Sequence, residues 1–374
     1  MNFIDNIEIK NFKSIRHQKI EGCKRINVFV GPPNVGKSNV LEALGIFSID
    51  KSTIDFSAFV RMGRATTLFF DGIIEKPIQI IINNYVRAKI SFDQGGINAI
   101  IQEDRLGSNF EKLDAEIANA SFIDKSDTED KLIKRASFLI NENKNQIINF
   151  EGDSGLRKFD TPLLDKARSN YSMRSSVLKY EFKKNIDYNS KTSLSLSHPF
   201  GENIFEIISA KQELINSIIE IFEFYDLKFL YDTEIQQYKI LKIIGNKIFT
   251  IPYFLTADTL RRLIFYKAAI VSNKNAVLIF EEPEANCYEP YIMEITNAIK
   301  NDTNNNQFFM VTHSQYVIDE LIRDEKSRNN TNIYLVGSDK GETKIKLLNP
   351  EVSKDVYQTG LNMFFNYRNL WDEN

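Results

Sequence analysis

Residues 25–47 read RINVFVGPPNVGKSNVLEALGIF, and the order of side-chain types in this stretch decides the fold. Arg25 to Val30 is an apolar run with the character of a buried strand, and it feeds directly into a glycine loop. Ser38 to Phe47 then has helical spacing, with Val40, Leu41 and Leu44 on one side. The loop between them carries Gly31, Gly36, Lys37 and Ser38 at the fixed positions of G-x-x-x-x-G-K-S. Polyphosphate needs many donors at close range. A loop free of bulky side chains offers backbone N–H groups, and the following helix adds its positive N-terminal end. On this pattern Lys37 reaches the β- and γ-phosphates of ATP, and Ser38 ligates Mg²⁺. Pro32 and Pro33 bring no N–H, so the donors come mainly from Asn34, Val35, Gly36, Lys37 and Ser38, and Asn39 follows them into the expected nucleotide contacts.

Outward from the loop, residues 3–9 alternate between apolar and polar types, as an opening strand does. Ile78 to Tyr85 and Ala88 to Phe92 read as an antiparallel pair. From about residue 101 to 200 the composition turns polar and rich in Asn, Lys and Ser, with helix-forming stretches such as Glu129 to Ile140. The expected organisation is a first head segment over 1–100, an inserted and mainly helical arm or lobe over 101–204, and a second head segment over 205–374. That arm lacks sustained heptads, so a long coiled coil is not expected. Within the last segment, Phe205 to Phe224 and Thr259 to Ile270 have helical spacing, while Lys228 to Tyr231 and Tyr238 to Ile244 read as strands. Ala276 to Phe280 and Gln307 to Val311 are nearly continuous apolar runs, the mark of central parallel strands. Ile333 to Val336 and Thr343 to Leu347 flank a hairpin turn at Ser338–Gly341. The fold class is therefore α/β, a mixed sheet flanked by helices.

Two further motifs end the two apolar runs. The first is Val277–Glu284, VLIFEEPE. A buried strand closing on two carboxylates can put one on a metal's water shell and the next on an attacking water, so Glu281 is assigned to Mg²⁺ and Glu282 to the water, as general base or positioning group. Asp is the usual residue at the metal position, and Glu281 is a longer-armed departure from it. The second is Val311-Thr312-His313-Ser314. A lone histidine is more often structural, but one that follows the double-Glu strand by a single strand can hydrogen-bond a γ-phosphate and report its presence.

Taken together, I-x-I-x-N-F-x-S at residues 7–14, GPPNVGKSNVLEAL, FEEPEAN and VTHS resemble the ABC-type ATPase heads of the RecF/SMC and OLD-like group, often labelled AAA-family ATPases. The resemblance covers roughly residues 1–50 and 250–320. It implies a head that dimerises around ATP, one subunit's P-loop facing a signature helix of the other. The signature candidate is Thr256–Arg262 (TADTLRR), in which Ala257 and Asp258 stand where the family has small Ser/Gly residues; Thr256 is its expected phosphate contact. By the same likeness Asn11, Lys13, Ser14 and Arg16 border the nucleotide, and Asn286 lies where a D-loop crosses the dimer interface. The Q-loop glutamine has no assignable position. OLD-like nucleases add a Toprim domain, but only about sixty residues follow His313 and they hold no D-x-D triplet, so a nuclease of that kind is not expected. Small bacterial proteins with this resemblance are often encoded in phage-defence or toxin–antitoxin-like modules, which implies a protein effector as partner.

Composition sets the outer bounds. The 374 residues carry 47 basic and 50 acidic side chains, a formal charge of −3, which gives no global pull towards nucleic acid and leaves DNA open as a partner through a local basic face. Cys23 and Cys287 are too few and too far apart for a disulfide framework or a zinc pattern. No run approaches the about 18 apolar residues of a membrane span, and the charged N-terminus is unlike a signal peptide, so a cytoplasmic protein without membrane contact is expected. Two functions follow. One is a slow ATP-hydrolysing switch that closes a homodimer or higher homo-oligomer; the other is an ATP-holding scaffold or DNA-binding module of RecF type.

Overall fold

The computed structural model describes residues 3–49, 55–93, 96–103, 145–151, 176–188 and 193–373, together with Phe110. In chain order the strands are β1 (Ile7–Phe12), β2 (Ile15–Ile20), β3 (Ile26–Val30), β4 (Ile78–Ile82), β5 (Val86–Asp93), β6 (Gly96–Glu103), β7 (Asn145–Glu151) and β8 (Val177–Tyr180). They continue with β9 (Leu227–Asp232), β10 (Gln237–Ile244), β11 (Lys247–Pro252), β12 (Val277–Glu281), β13 (Gln307–Val311), β14 (Thr331–Asp339) and β15 (Glu342–Leu347). The α-helices used below are α1 (Lys37–Gly45), α2 (Ile204–Ala210), α3 (Gln212–Glu223), α4 (Asp258–Ser272), α5 (Glu289–Lys300), α6 (Gln315–Ile322), α7 (Glu325–Asn329), α8 (Pro350–Thr359) and α9 (Tyr367–Glu373).

The central sheet has the order β15-β14-β3-β13-β12-β8. Its five strands from β14 to β8 run parallel, and β15 closes it as an antiparallel hairpin partner of β14. The apolar runs expected to be central strands are central, because each supplies both faces of the sheet. Leu278, Phe280, Phe308 and Met310 point into one hydrophobic core, while Val277, Ile279, Phe309 and Val311 point into another. On the first face, helices α2 to α6 cover the sheet with Phe205, Leu263, Ile264, Ile295 and Val317 among their buried residues. The second face is covered differently from a sheet flanked by helices alone: α1 lies there together with a second, wholly antiparallel sheet of order β2-β1-β4-β5-β6-β7. Its alternating residues Ile7, Ile9, Ile78, Ile80, Ala88 and Ile90 complete that core. A three-stranded antiparallel meander, β11-β10-β9, forms the third sheet.

Strands β7 and β8 come from inside the 101–204 range and belong to the two six-stranded sheets. The helix expected over Glu129 to Ile140 lies outside the described residues. The Phe205–Phe224 pattern is two helices, α2 and α3, meeting at an extended Lys211.

One buried amide ties the N-terminal segment to the central sheet. Gln307 Nε2 donates to the carbonyls of Ile4 and Lys24, and its Oε1 accepts from Ile4 N, each at 2.8 Å. The Gln307→Leu substitution keeps the volume and strands three backbone groups, and it should lower unfolding stability by about 3 kcal/mol. Urea denaturation measures this; an unchanged midpoint would show that water or a shift of the N-terminus replaces the side chain.

Candidate functional site

Strand register gathers the three motifs. Phe29 on β3 sits opposite Val311 on β13, and Val311 sits opposite Glu281 on β12. Gly31, Thr312 and Glu282 therefore leave the parallel strands at one edge, their carboxyl ends, where open α/β sheets bind ligands. Lys37, the first residue of α1, faces that edge. It is buried and donates from Nζ to the carbonyls of Gly31 at 2.9 Å and Pro32 at 2.6 Å. Burial lowers its ammonium pKa below the ordinary lysine value, and the Glu282 and Glu281 carboxylates oppose that fall. The His313 imidazole is held below the usual histidine value by burial first and by Lys37 second, with Glu282 acting the other way. His313 Nε2 lies 3.5 Å from Glu282 Oε1. Lys37, Glu281, Glu282 and His313 thus share one electrostatic neighbourhood.

The glycine loop is braced from behind. Gly36 has φ +93°, and a Cβ there would run into Ser14 and Thr343, so only glycine fits. Thr343 Oγ1 donates to the Val35 carbonyl at 2.8 Å and meets Ser14 Oγ at 2.6 Å, and Asn39 Nδ2 donates to that same Ser14 Oγ at 2.6 Å. Thr343 N also donates to Ser14 O at 2.8 Å. Ser14 and Asn39, both expected to border nucleotide, are placed by the structure in this brace under the loop. A Cβ on Gly31 would strike the Val336 carbonyl, which keeps the start of the loop close to β14.

The carboxylates are anchored by their neighbours. Glu42 on α1 is fully buried and takes Lys13 Nζ on one oxygen and Arg61 Nε on the other, the latter at 2.6 Å. Lys13 Nζ further donates to the Arg61 carbonyl at 2.7 Å. The Arg61 guanidinium continues to Glu281 Oε1 at 3.0 Å. Lys13 therefore serves this charge chain, which runs from the β1–β2 turn to the end of β12. Glu282 stands at φ +44°, a conformation that costs a non-glycine residue on the order of 1–3 kcal/mol and is typical of functional sites. Its N–H is held by the Val311 carbonyl at 3.0 Å. Two residues on, buried Glu284 accepts from Thr312 Oγ1 at 2.6 Å and from His313 N at 2.9 Å, so it fixes the turn that presents His313.

Other expected contacts lie elsewhere or act otherwise. Asn11 Nδ2 donates to the Lys76 carbonyl, and the exposed Arg16 guanidinium pairs with Glu342 at 3.2 Å. Both line an open, 640 Å³ cleft at the β1–β2 turn. Thr256 lines a separate apolar cavity of 550 Å³ with Leu255, Ala257 and Leu260, and its hydroxyl there has no hydrogen-bond partner. Asp258, at the first position of α4, is neutralised by Lys184 and by Arg261 at 2.6 Å, so it meets cations rather than standing bare at the helix N-terminus. Asn286 is exposed at φ +56°. Sequence reading missed Thr343, Arg61, Glu42 and Glu284. Thr343 and Arg61 are far in sequence from the motifs they serve; Glu42 and Glu284 lay inside quoted motifs, five residues from Lys37 and three from Glu281, and could have been suspected.

The donor set suits a polyphosphate with a divalent cation. The buried Lys37 ammonium takes its own loop's carbonyls as acceptors, and an anionic phosphate oxygen is a stronger acceptor than either. Ser38 follows it on α1 and Glu281 supplies one carboxylate, which matches the sparse protein ligation of Mg²⁺; no cluster of three His, Cys, Asp or Glu suited to a metal occurs among the described residues. Burial pushes the Cys23 thiol up to about 12 and raises that of Cys287 as well, which leaves both as poor nucleophiles at neutral pH. No helix among the described residues is long and apolar enough to cross a membrane.

A family model described as "AAA domain, putative AbiEii toxin, Type IV TA system" matches residues 26–319. The chain is 40% identical over 75 residues to the uncharacterized protein MJECL10 of Methanocaldococcus jannaschii, covering 20% of this chain and 33% of that protein. It is 49% identical over 41 residues to an ATP/GTP phosphatase of Helicobacter pylori, 11% of each. It is 38% identical over 50 residues to the DNA replication and repair protein RecF of a Thermoanaerobacter species, 13% of this chain and 14% of that one. The chain thus spans a third or less of the length of these curated relatives. Among solved structures, an Smc head domain from Pyrococcus furiosus bound to the C-terminal domain of ScpA aligns with TM-score 0.45 and 15% identity over 97% of this chain and 100% of that one. The SMC head domain from Thermotoga maritima aligns with TM-score 0.40 and 13% identity over 92% and 99%. With its P-loop, double-Glu strand and histidine all at one sheet edge and the family match running through all three, the chain belongs to the AAA-domain family of putative AbiEii type.

Proposed function

We propose that this protein is an ATP-hydrolysing switch that closes a homodimer around nucleotide and passes the change to a protein effector or to DNA. The observation that carries this reading is the meeting of Lys37, Glu281, Glu282 and His313 at the carboxyl edge of one parallel sheet. The phosphates of ATP would take the place of the Gly31 and Pro32 carbonyls on Lys37, and receive N–H groups from Asn34 to Ser38. Ser38 and Glu281 would hold Mg²⁺, which when bound supplies charge neutralisation at the phosphates. Glu282 orients the attacking water and accepts its proton. His313, kept largely neutral by burial and by Lys37, has one ring N–H to offer a γ-phosphate oxygen while its other nitrogen accepts. The Lys13–Glu42–Arg61 chain positions Glu281 before the cation arrives.

The 101–204 range remains the natural site of an arm, with β7 and β8 assigned to the head. In this reading the 101–204 range relays nucleotide state to a partner within a defence or toxin–antitoxin module. A second reading, a scaffold that holds ATP with little turnover, is favoured by one observation: the N-terminus of α4 carries Asp258 in ion pairs, and Thr256 is turned into an apolar cavity. Such a helix end is a poorer trans cradle for phosphate than a Ser/Gly one. The two readings separate on phosphate release from Mg²⁺-ATP by the purified protein.

Three substitutions test the assignments. Glu282→Gln should reduce hydrolysis about 100-fold or more while ATP binding persists, as expected for loss of a general base; full turnover in that variant would remove Glu282 from the mechanism. Lys37→Ala should weaken ATP binding by roughly tenfold or more through loss of a charged donor, read by calorimetric titration, and equal affinity would place the nucleotide elsewhere. Thr343→Val strips the brace from under Val35 and Ser14 and should cost about 1–3 kcal/mol of stability, together with weaker nucleotide binding. A stable Thr343→Val protein that binds ATP normally would mean the loop holds its shape unaided.

A further inference from the structure

The segment after α8 lies beyond the residues that the family model matches, yet it reaches the site. The rings of Phe364 and His313 stack with centroids 6.2 Å apart and planes 28° from parallel. A cavity of about 340 Å³ is lined by Gly31, Pro32 and Pro33 of the loop, by His313, and by Phe364 and Tyr367. The Tyr367 hydroxyl is enclosed with no hydrogen-bond partner, and it lies 3.5 Å from where a Cβ of Gly31 would be.

This wall is fastened at both ends. Gln315, two residues after His313, accepts from Met363 N on its Oε1 at 2.8 Å, and Met363 itself is buried in the core. Asn362 Oδ1 accepts from the N–H groups of Phe364 and Phe365, which sets the turn that aims Phe364 inward. Further on, Trp371 packs so closely over Gly337 that a Cβ there would lie 2.8 Å from its ring, and its carbonyl accepts from Lys346 Nζ at 2.8 Å. Tyr367 stacks on Trp371 at 6.0 Å.

We propose that residues 361–371 form a wall of the nucleotide site, in which Phe364 is a positioning residue that fixes the ring plane of His313. The inference deepens the ATPase reading and rests on it for its catalytic consequence. The His313 side chain is 40% exposed and ends a loop, and an imidazole so placed has a broad χ2 range. The Phe364 ring on one face removes much of that range, so the N–H that meets a γ-phosphate oxygen is already aligned. The hydrogen bond from Met363 to Gln315 ties the wall to the helix that His313 precedes, so wall and histidine move together.

Histidine NMR of the full chain tests the placement without reference to activity. The protein has three histidines, His17, His198 and His313, and His313→Gln identifies the third. Phe364→Met keeps bulk and loses the ring. It should move the His313 ring-proton resonances, and Phe364→Tyr should return them to the wild-type position, while those of His17 and His198 stay fixed and report an intact fold. Phe365→Leu, a change at an exposed neighbouring ring, should leave all three in place. An unmoved His313 resonance in folded Phe364→Met overturns the proposal, whether or not the protein hydrolyses ATP. Under turnover, Phe364→Met should lower kcat about tenfold with KM within about twofold, the pattern of a group that matters in the transition state, and Phe364→Tyr should restore it. Loss shared equally by the Met and Tyr variants would likewise overturn it. A wild-type protein without turnover would refute the ATPase reading alone and leave the resonance result to decide the wall.

Discussion

The structure depends on the parallel pairing of β3, β13 and β12. Residues that are remote in sequence become neighbours because Phe29, Val311 and Glu281 share one register line across the sheet. A one-residue slip in either pairing would turn the apolar side chains of that strand to the opposite faces, exchanging the contents of two separately packed cores. Phe308 and Met310 fill one core and Phe309 and Val311 the other, so the hydrophobic pattern fixes the register, and the register fixes where the loop, the carboxylates and the histidine emerge. Burial of apolar side chains thereby sets the geometry of a polar site.

Holding charged groups at that edge costs free energy, and the surrounding residues offset it. Glu42 has no exposed surface, and a buried charge there is costly unless it is paired. Lys13 and Arg61 pair both of its oxygens, which is the arrangement that makes a buried charge tolerable. Because Arg61 also holds Glu281, the pairing that solves a folding problem orients a residue of the site. Glu284 behaves likewise: burial raises its carboxyl above the usual range, and donors from Thr312 and His313 N work in the opposite direction. In both cases a buried acid stands where it shapes the loop next to the candidate site.

Much of this was legible in the sequence, and the reasons are physical. The strand–loop–helix at 25–47 was readable because a continuous apolar run, a glycine pattern and a 3.6-residue period change abruptly within a few positions. The runs 276–280 and 307–311 were readable as central strands because nothing but double-sided burial explains them. Clustering of Lys37 with Glu281, Glu282 and His313 followed from motif order. The six-stranded antiparallel sheet was only half visible: β4 and β5 alternate clearly, whereas β2 (IRHQKI) is largely polar. The brace and the charge chain were not legible. Thr343 sits on a terminal hairpin and Arg61 in an irregular stretch, and their partners are defined only once the β1–β2 turn and β15 come together. Ser14 and Lys13, expected by family likeness to border nucleotide, and Asn39, expected there from its place after the glycine loop, hold the loop and Glu42 with their side chains.

In the proposed function, the edge formed by Gly31–Ser38, Glu281, Glu282 and His313 holds ATP, and Lys37 exchanges its own loop's carbonyls for phosphate. A crystal structure of the full chain with Mg²⁺ and a non-hydrolysable ATP analogue tests it most directly. The expected result is phosphate oxygens within hydrogen-bond distance of Lys37 Nζ, that nitrogen withdrawn from the Gly31 and Pro32 carbonyls, and the cation beside Ser38 and Glu281. Nucleotide bound at another cavity, or Lys37 still on both carbonyls with phosphate present, would contradict it.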